Sequence, residues 1–405
     1  MSSEANVTNE RTLAVLGGAP MFSNRLYVGR PNVGDRTALF RRLDEMLDRN
    51  WLTNDGPLVK EFESRICAFA GVKHCVAMCN ATIALEIAIR AAGLTGEVIV
   101  PSYTFIATAH ALQWQEITPV FCDMDPATHN IDPKQVERLI TPRTTGIIGV
   151  HVWGRAAPID ELADIAKRRN LTLMFDAAHA FGCTYRGRML GSFGLAEVYS
   201  FHATKFLNSL EGGAVVTNDD ALAAKLRLMR NFGFHDYDRV VYIGTNGKMT
   251  EASAAMGLTN LDAIDEFVAV NRRNHDAYAR VLADVEGLTL LRYDPTEQHN
   301  HQYVVVEVDE RFPLSRDELV DVLHAENVIA RRYFYPGCHR MEPYKSYFPH
   351  AGLLLPHTER VAARVIILPT GNSIDLATIE AIAGLIRSAR DSAAEVRRVF
   401  SKRSS

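Results

Sequence analysis

The sequence has no Cys-x-x-Cys pair among its six cysteines, no run of about 18 apolar residues and no excess of positive charge. The lack of a long apolar run argues against a membrane-spanning helix. The net charge of −4 and the lack of a basic run argue against a nucleic-acid partner. The first dozen residues lack the apolar core of a signal peptide. We therefore expect a cytoplasmic protein with no membrane partner.

Two cofactor classes are also disfavoured by what is missing. His299 and His301 form the only close histidine pair, and no neighbouring ligand completes a zinc set, so we expect no metal. No Gly-x-Gly-x-x-Gly follows a predicted strand, which disfavours a nicotinamide dinucleotide. The cysteines that lie in apolar runs are typical of small buried residues.

The 405 residues predict two domains after an N-terminal arm. Short apolar segments alternate with helical patterns up to about residue 217, which predicts an α/β domain with a mostly parallel mixed sheet between helices. A long helix over 250–282, with a break near residue 262, leads to a smaller α+β domain. The predicted ranges are 1–35 for the arm, 36–262 for the large domain and 263–405 for the small one. The last eight residues are expected to fray.

Lys205 is the most informative residue. It comes directly after an apolar, β-favouring stretch and before a Gly-Gly turn and a second strand. A lysine at such a strand end can lose water, lower its pKa and form a Schiff base with a carbonyl compound. The alternative is an exposed loop lysine, which is the commoner case.

Asp176 ends another predicted strand. An acid there is costly unless a cation or a donor meets it, and a pyridinium nitrogen is one such partner. The alternative is a helix N-cap, a role that aspartate fills well.

Three further features lie at predicted strand ends. Asn80, Ala81 and Thr82 open a helical pattern, so their amides and hydroxyl could bind a phosphate or could only cap the helix. Ser200 could add a hydroxyl to the same phosphate. Phe105, or Tyr103 nearby, could stack on a flat ring or could pack in the core. A phosphate cradle, a stacking ring, an acid and a Schiff-base lysine together indicate pyridoxal 5′-phosphate.

At these residues the chain resembles the DegT/StrS-type nucleotide-sugar aminotransferases of the fold-type I pyridoxal-phosphate superfamily. The resemblance runs through nearly the whole chain. It is carried by the segments 80–82 (NAT), 101–108 (PSYTFIAT), 176–179 (DAAH), 200–205 (SFHATK), 211–213 (EGG) and 244–249 (GTNGKM).

The resemblance implies a role for each matched residue. Lys205 would form the Schiff base, Asp176 would meet the pyridine nitrogen, and His179, where many relatives have Gln, would lie near the ring hydroxyl. Phe105 would stack on the ring. The phosphate would be bound by the backbone of Ala81 and Thr82, by the Ser200 hydroxyl and by Asn246 from a neighbouring subunit. A homodimer with shared active sites follows from that last match.

A closer likeness narrows the substrates. The segments 28–32, 51–54, 79–82, 231–234 and 335–339 resemble enzymes that aminate C4 of dTDP-4-keto-6-deoxyglucose with L-glutamate as donor. Ala81 departs from the glycine that many relatives have. The candidate contacts to the sugar nucleotide are Tyr27, Arg30, Tyr333, Tyr335 and His339, with Lys248 as a candidate for the diphosphate. The alternative for Lys248 is a surface lysine.

Other readings of the same fold stay open. A dehydratase on this fold has histidine in place of the Schiff-base lysine, so Lys205 argues against it. A transaminase could act on C3 or on another nucleotide sugar. A catalytically silent regulator that binds the cofactor is a third alternative, although no basic patch or helix-turn-helix extension supports it.

Overall fold

The structure is a computed structural model that describes residues 11–403. None of the helices in this described part of the chain is long and apolar enough to cross a membrane. The first ten residues of the predicted arm lie outside the described range. The cytoplasmic location remains a prediction.

The strands are short and were mostly indicated by apolar runs. In chain order they are β1 (Leu26–Tyr27), β2 (His74–Met78), β3 (Glu97–Pro101), β4 (Thr118–Cys122), β5 (Thr144–Val150), β6 (Thr172–Asp176), β7 (Thr184–Tyr185), β8 (Arg188–Met189), β9 (Ala196–Ser200), β10 (Gly213–Thr217), β11 (Leu288–Leu290), β12 (Val304–Val308), β13 (Val328–Ile329) and β14 (Val365–Leu368).

The helices cover the two faces of the main sheet and build most of the C-terminal part. They are α1 (Arg36–Asp48), α2 (Pro57–Ala70), α3 (Ala81–Ala91), α4 (Ala107–Gln113), α5 (Pro133–Leu139), α6 (Ile159–Arg169), α7 (Asp220–Met229), α8 (Glu251–Asp262), α9 (Ile264–Val281), α10 (Arg316–Ala325), α11 (Tyr344–Tyr347), α12 (Pro356–Ala362), α13 (Leu376–Asp391) and α14 (Ala393–Arg403).

The main sheet has seven strands in the order β2-β10-β9-β6-β5-β3-β4. Only β10 runs antiparallel to its neighbours, so the predicted mostly parallel mixed sheet is confirmed. Parallel strands end at one edge, and ligands bind beyond the carboxyl ends of such strands. The sheet therefore brings the ends of β2, β6 and β9 together, and with them Met78, Asp176 and Ser200.

A second, antiparallel sheet of β11, β12 and β14 lies in the C-terminal part, where α9, α10 and α13 contribute to a separate apolar core. One apolar cluster joins the two parts. It contains Tyr103 and Trp153 from the main-sheet side and Tyr303 and Phe334 from the C-terminal side. Side chains from the C-terminal part therefore pack against residues near the carboxyl ends of the main-sheet strands. The predicted domain ranges stay a prediction.

The fraying expected for the last eight residues is not seen over 398–403, and residues 404 and 405 lie outside the described range. Helix α14 continues to Arg403, because Val396 is fully buried and Phe400 packs against the C-terminal core. The break expected near residue 262 is confirmed: α8 ends at Asp262 and α9 begins at Ile264.

Candidate active site

Lys205 lies just beyond the carboxyl end of β9, five residues after Ser200. Its side chain is half-buried, and the loss of water lowers the pKa of its amine to about 8, from 10.5, against the opposing pull of Asp176. Its Nζ donates a hydrogen bond to the Tyr303 hydroxyl at 3.3 Å. The exposed-loop alternative is therefore not what the structure shows.

Asp176 is the last residue of β6 and is 5% exposed. One carboxylate oxygen accepts from the Thr108 hydroxyl at 2.8 Å and the other from the Ala178 amide at 3.0 Å. Burial raises its pKa, and these two hydrogen bonds and the charge of Lys205 oppose the rise. A turn and not a helix follows, so Asp176 does not cap a helix.

His179 is buried and its tautomer is determined by one contact. The backbone N–H of Trp153 donates to His179 Nδ1 at 3.3 Å, so Nδ1 carries the lone pair and Nε2 carries the hydrogen. Burial, followed by the charge of Lys205, lowers the pKa of His179 well below its usual value. The ring stacks on those of Trp153 and Phe334. His179 is thus a rigidly held, neutral hydrogen-bond donor. Such a donor suits the oxygen of a hydroxyl group on the cofactor ring.

The candidate phosphate site is the first turn of α3. The Asn80 side chain caps it by accepting from the Ile83 amide at 2.9 Å. The first amides of a helix have no partner inside the helix, so those of Ala81 and Thr82 remain for a ligand. The first turn contains no acidic residue that would repel a phosphate. Capping and phosphate binding are therefore compatible here.

Gly213 explains how β10 approaches this cradle. A Cβ built on Gly213 would lie 2.5 Å from the Ala81 nitrogen. Gly213 also pairs with Ser200, whose hydroxyl is at the end of β9. The glycine thus lets the Ser200 strand end and the α3 N-terminus come together.

The two candidate stacking aromatics differ in burial. Tyr103 is fully buried, and its hydroxyl donates to the Tyr333 carbonyl at 2.7 Å. Phe105 is 59% exposed just before α4. Tyr103 thus packs in the core. Phe105 is exposed and is available to stack on a bound ring.

The arm carries Tyr27 and Arg30, both exposed, close to the lysine. A Cβ on Gly29 would lie 3.0 Å from Cβ of Thr204, the residue before Lys205. Asn32 donates to the Phe206 carbonyl at 3.0 Å and holds the arm there.

The late candidates fall into different surroundings. Tyr333 is half-buried with its ring centroid 6.3 Å from that of Tyr303, so it lies near the lysine. Tyr335 is exposed and packs under the guanidinium of Arg316. His339 is buried, with Nδ1 bonded to the Ser102 hydroxyl and Nε2 to Glu359. Both ring nitrogens of His339 already have partners within the chain, which disfavours the expected contact to the sugar nucleotide.

Asn246 and Lys248 belong to a segment that lies against the end of β2. Lys248 pairs with Met78, and Gly247 accepts from the Cys79 amide at 2.8 Å. Asn246 is exposed. The Lys248 ammonium donates to the Asn231 side chain at 3.0 Å, and burial and nearby Arg230 lower its pKa. It is neither a fully exposed lysine nor one held by an acid.

One observation that does not depend on a sequence motif supports pyridoxal phosphate as the cofactor of these residues. Asp176 is a buried carboxylate whose hydrogen-bond donors are a neutral hydroxyl and an amide, and a pyridinium N–H supplies the positive donor that such a group favours. Within residues 11–403, no three His, Cys, Asp or Glu side chains are grouped so as to hold a metal.

Thr108 and Tyr303 were not assigned roles from the sequence. Thr108 lies inside the 101–108 motif, which could have identified it as a partner of Asp176. Tyr303 immediately precedes β12 of the second sheet, 98 residues from Lys205, and no sequence pattern links the two.

Comparisons with known proteins show which proteins the chain resembles. The DegT/DnrJ/EryC1/StrS aminotransferase family matches residues 35–387. A dTDP-4-amino-4,6-dideoxy-D-glucose transaminase of Shigella dysenteriae is 37% identical over 89% of this chain and 98% of its own length. A GDP-perosamine synthase of Caulobacter vibrioides is 38% identical over 74% of this chain and 82% of its own. The crystal structure of DesI with its TDP-sugar product superposes with a TM-score of 0.91 at 53% identity, covering 95% of this chain and 98% of that one.

Proposed function

Because the chain belongs to the DegT/DnrJ/EryC1/StrS aminotransferase family, we propose that it transfers the amino group of L-glutamate to C4 of dTDP-4-keto-6-deoxy-D-glucose. The product is dTDP-4-amino-4,6-dideoxy-D-glucose. As a member of the family, the protein is a pyridoxal 5′-phosphate-dependent sugar aminotransferase. The observation that carries the proposal is the pair of a half-buried Lys205 amine with lowered pKa and a buried Asp176 carboxylate at one sheet edge.

The bound cofactor supplies an electron sink for the carbon attached to the amino nitrogen. Asp176 would keep the ring nitrogen protonated, and the hydrogen bonds from Thr108 and the Ala178 amide favour its ionised form. His179 would donate from Nε2 to the oxygen of the ring hydroxyl. The first turn of α3 and Ser200 would hold the phosphate, and Phe105 would stack on one face of the ring.

Lys205 moves the protons. With a pKa of about 8, roughly a tenth of its amine is unprotonated at pH 7, enough to act as nucleophile and base. Its Nζ takes the proton from the α-carbon of L-glutamate in the first half of the reaction. In the second half, Nζ gives a proton to C4 of the sugar.

The substrate contacts are proposed from position. Tyr27 and Arg30 lie on the arm beside Thr204, and Tyr333 lies near Tyr303, so these three border the lysine. Tyr335 is exposed two residues after Tyr333 and is proposed as a further contact. Lys248 is proposed to meet the diphosphate.

We also propose a homodimer in which Asn246 of one subunit completes the phosphate site of the other. The segment around Asn246 exposes apolar side chains that a monomer would leave in water. These are Phe232, Phe234, Tyr237, Val240, Val241, Tyr242 and Ile243.

Mixed dimers test the shared site. Lys205→Ala and Asn246→Ala subunits would each form inactive homodimers. A mixed dimer has one site with intact Lys205 and intact Asn246, so about half of the wild-type activity per dimer should return after the two are unfolded and refolded together. No return of activity in verified mixed dimers would contradict the shared site.

The substrate is tested with a panel. Purified enzyme, L-glutamate and dTDP- or GDP-linked 4-keto-6-deoxy sugars, with a 3-keto isomer, are incubated, and the product is identified by NMR. Amination at C4 of the dTDP-linked sugar is expected. The second candidate is the GDP-linked sugar, which the similarity to a GDP-perosamine synthase favours. Preference for the GDP-linked or the 3-keto substrate would overturn the proposal that the dTDP-linked 4-keto sugar is the substrate.

A further inference from the structure

Tyr303 contacts the amine of Lys205 from the opposite wall of the site. The Tyr303 hydroxyl lies 3.3 Å from Lys205 Nζ, and the same Nζ lies 6.0 Å from the centroid of the Tyr303 ring. Tyr303 immediately precedes β12, whereas Lys205 follows β9. The contact therefore joins the second sheet to the reacting group on the first.

Tyr303 is held rigidly. It is 5% exposed, and its ring centroid lies 4.7 Å from that of His179 and 5.3 Å from that of Trp153. Its carbonyl accepts from the Tyr293 hydroxyl at 3.0 Å, and the same hydroxyl donates to the Trp153 carbonyl at 3.2 Å. Its own hydroxyl is thus presented at a defined point beside the lysine.

We propose that Tyr303 is the positioning residue for Lys205, fixing the free amine over the reacting carbon whenever the amine is not bonded to the cofactor. This proposal rests on the proposed function, in which Lys205 is displaced by the amino donor and then moves protons. A lysine has a flexible four-carbon stem, so an untethered amine would lose much of its proximity advantage.

The Tyr303 hydroxyl can form a hydrogen bond with either protonation state of Lys205. An ammonium donates to the phenol oxygen, and a neutral amine accepts from the phenol O–H. The charged form gains the stronger hydrogen bond, so loss of the phenol should favour the neutral amine. The other titratable groups around Lys205 and Tyr303 are Asp176, His179, Tyr293 and Tyr333.

The first experiment measures the amine itself. Holoenzyme is treated with L-glutamate so that Lys205 is free, pulsed with acetic anhydride between pH 6 and 10, digested and analysed by mass spectrometry for label on Lys205. In the wild type the midpoint should lie below the usual lysine pKa of 10.5, because burial disfavours the charged amine. In Tyr303→Phe the midpoint should fall by about half a unit to one unit, from the loss of a charge-assisted hydrogen bond.

The second experiment separates positioning from binding. In Tyr303→Phe, single-turnover amino transfer from L-glutamate should slow by roughly tenfold to a hundredfold, with KM for L-glutamate within about twofold. The matched control is Tyr278→Phe. Tyr278 is a fully buried tyrosine whose hydroxyl donates to the Pro369 carbonyl, in the C-terminal core. It should keep the wild-type midpoint and rate.

A variant of unchanged shape guards against a folding defect. 3-Fluorotyrosine placed at position 303 keeps the ring and weakens the oxygen as an acceptor, so it should shift the Lys205 midpoint in the same direction by less. Labelling midpoints equal to that of Tyr278→Phe in both position-303 variants would overturn the proposal. Neither measurement uses the sugar, so failure of the proposed sugar substrate would leave this test intact.

Discussion

The Thr108 hydroxyl donates a hydrogen bond to a carboxylate oxygen of Asp176 at 2.8 Å, across the gap between α4 and the end of β6. Burial alone would favour the neutral acid, and this hydrogen bond is the largest influence that opposes it. The charge on Asp176, and with it the electron sink, therefore depends on a threonine that carries no chemistry itself.

Thr108→Val should slow amino transfer from L-glutamate about tenfold, the effect of losing one hydrogen bond to a charged group. The pKa of Asp176 should rise further, so the acid limb of the rate profile should move to higher pH. Stopped-flow absorbance of the cofactor measures both. The control is Thr104→Val, which removes the partner of Thr108 but not the contact to Asp176. Equal rates in the two variants would argue against the assigned role.

His179 is expected to act as a neutral donor with a fixed tautomer. A glutamine can accept from the Trp153 amide and donate through its own amide, so His179→Gln should retain cofactor binding within about threefold. His179→Ala should weaken retention by about tenfold through the lost hydrogen bond. Dialysis followed by absorbance measures retained cofactor. Equal retention in the alanine and glutamine variants would sink this assignment.

Gly213 should tolerate no side chain. A Cβ there meets the backbone of Ala81 and Asn80 at 2.5 and 2.6 Å, so Gly213→Ala must displace the first turn of α3. We expect cofactor affinity to fall by about tenfold or more, since phosphate binding depends on those amides. The control is Gly384→Ala in α13, where a Cβ has open space and should stabilise the helix. Isothermal titration of apoenzyme with pyridoxal phosphate compares them, and unchanged affinity for Gly213→Ala would contradict the cradle.

His301 should make the fold sensitive to acid. Burial, together with neighbouring His275, His299 and Arg272, lowers its pKa from 6.5 to about 3. Between those values the unfolded chain binds a proton that the folded chain does not, so stability falls as the pH drops below 6.5. His301→Asn, which suits the φ of 46° at this position, should lose less Tm between pH 7 and pH 5 than wild type.

The exposed His350 gives the comparison for that measurement. His350→Asn should keep the wild-type difference in Tm between the two pH values, by circular dichroism. If both variants show the wild-type difference, His301 is not the source of the acid sensitivity.

Regular elements could be predicted where the local pattern is complete. The spacing of apolar residues predicts helices over 36–48 and 159–169, and α1 and α6 have these bounds. The ends of β6 and β9 place Asp176 and Ser200 at strand ends, as expected. These features depend on residues close in sequence, so one stretch of chain carries the whole signal.

Features that depend on distant residues could not be predicted. Helix α2 begins at Pro57 without a capping side chain of its own, and its first amides, those of Leu58 and Val59, are bound by Glu251 of α8. The sequence around Asp176 is typical of a helix N-cap, but its carboxylate accepts a hydrogen bond from the distant Thr108 hydroxyl instead. Tyr303 reaches Lys205 from another sheet, and only the packing of the two parts shows this.

The central claim is that Lys205 forms the Schiff base and moves the protons. The most direct measurement is borohydride reduction of the holoenzyme, digestion and mass spectrometry of the lysine peptides, with Lys205→Ala assayed in parallel for transfer from L-glutamate. The account predicts the reduced cofactor on Lys205 and no turnover in the variant. Reduced cofactor on another lysine, or a Lys205→Ala enzyme that still transfers the amino group, would contradict it.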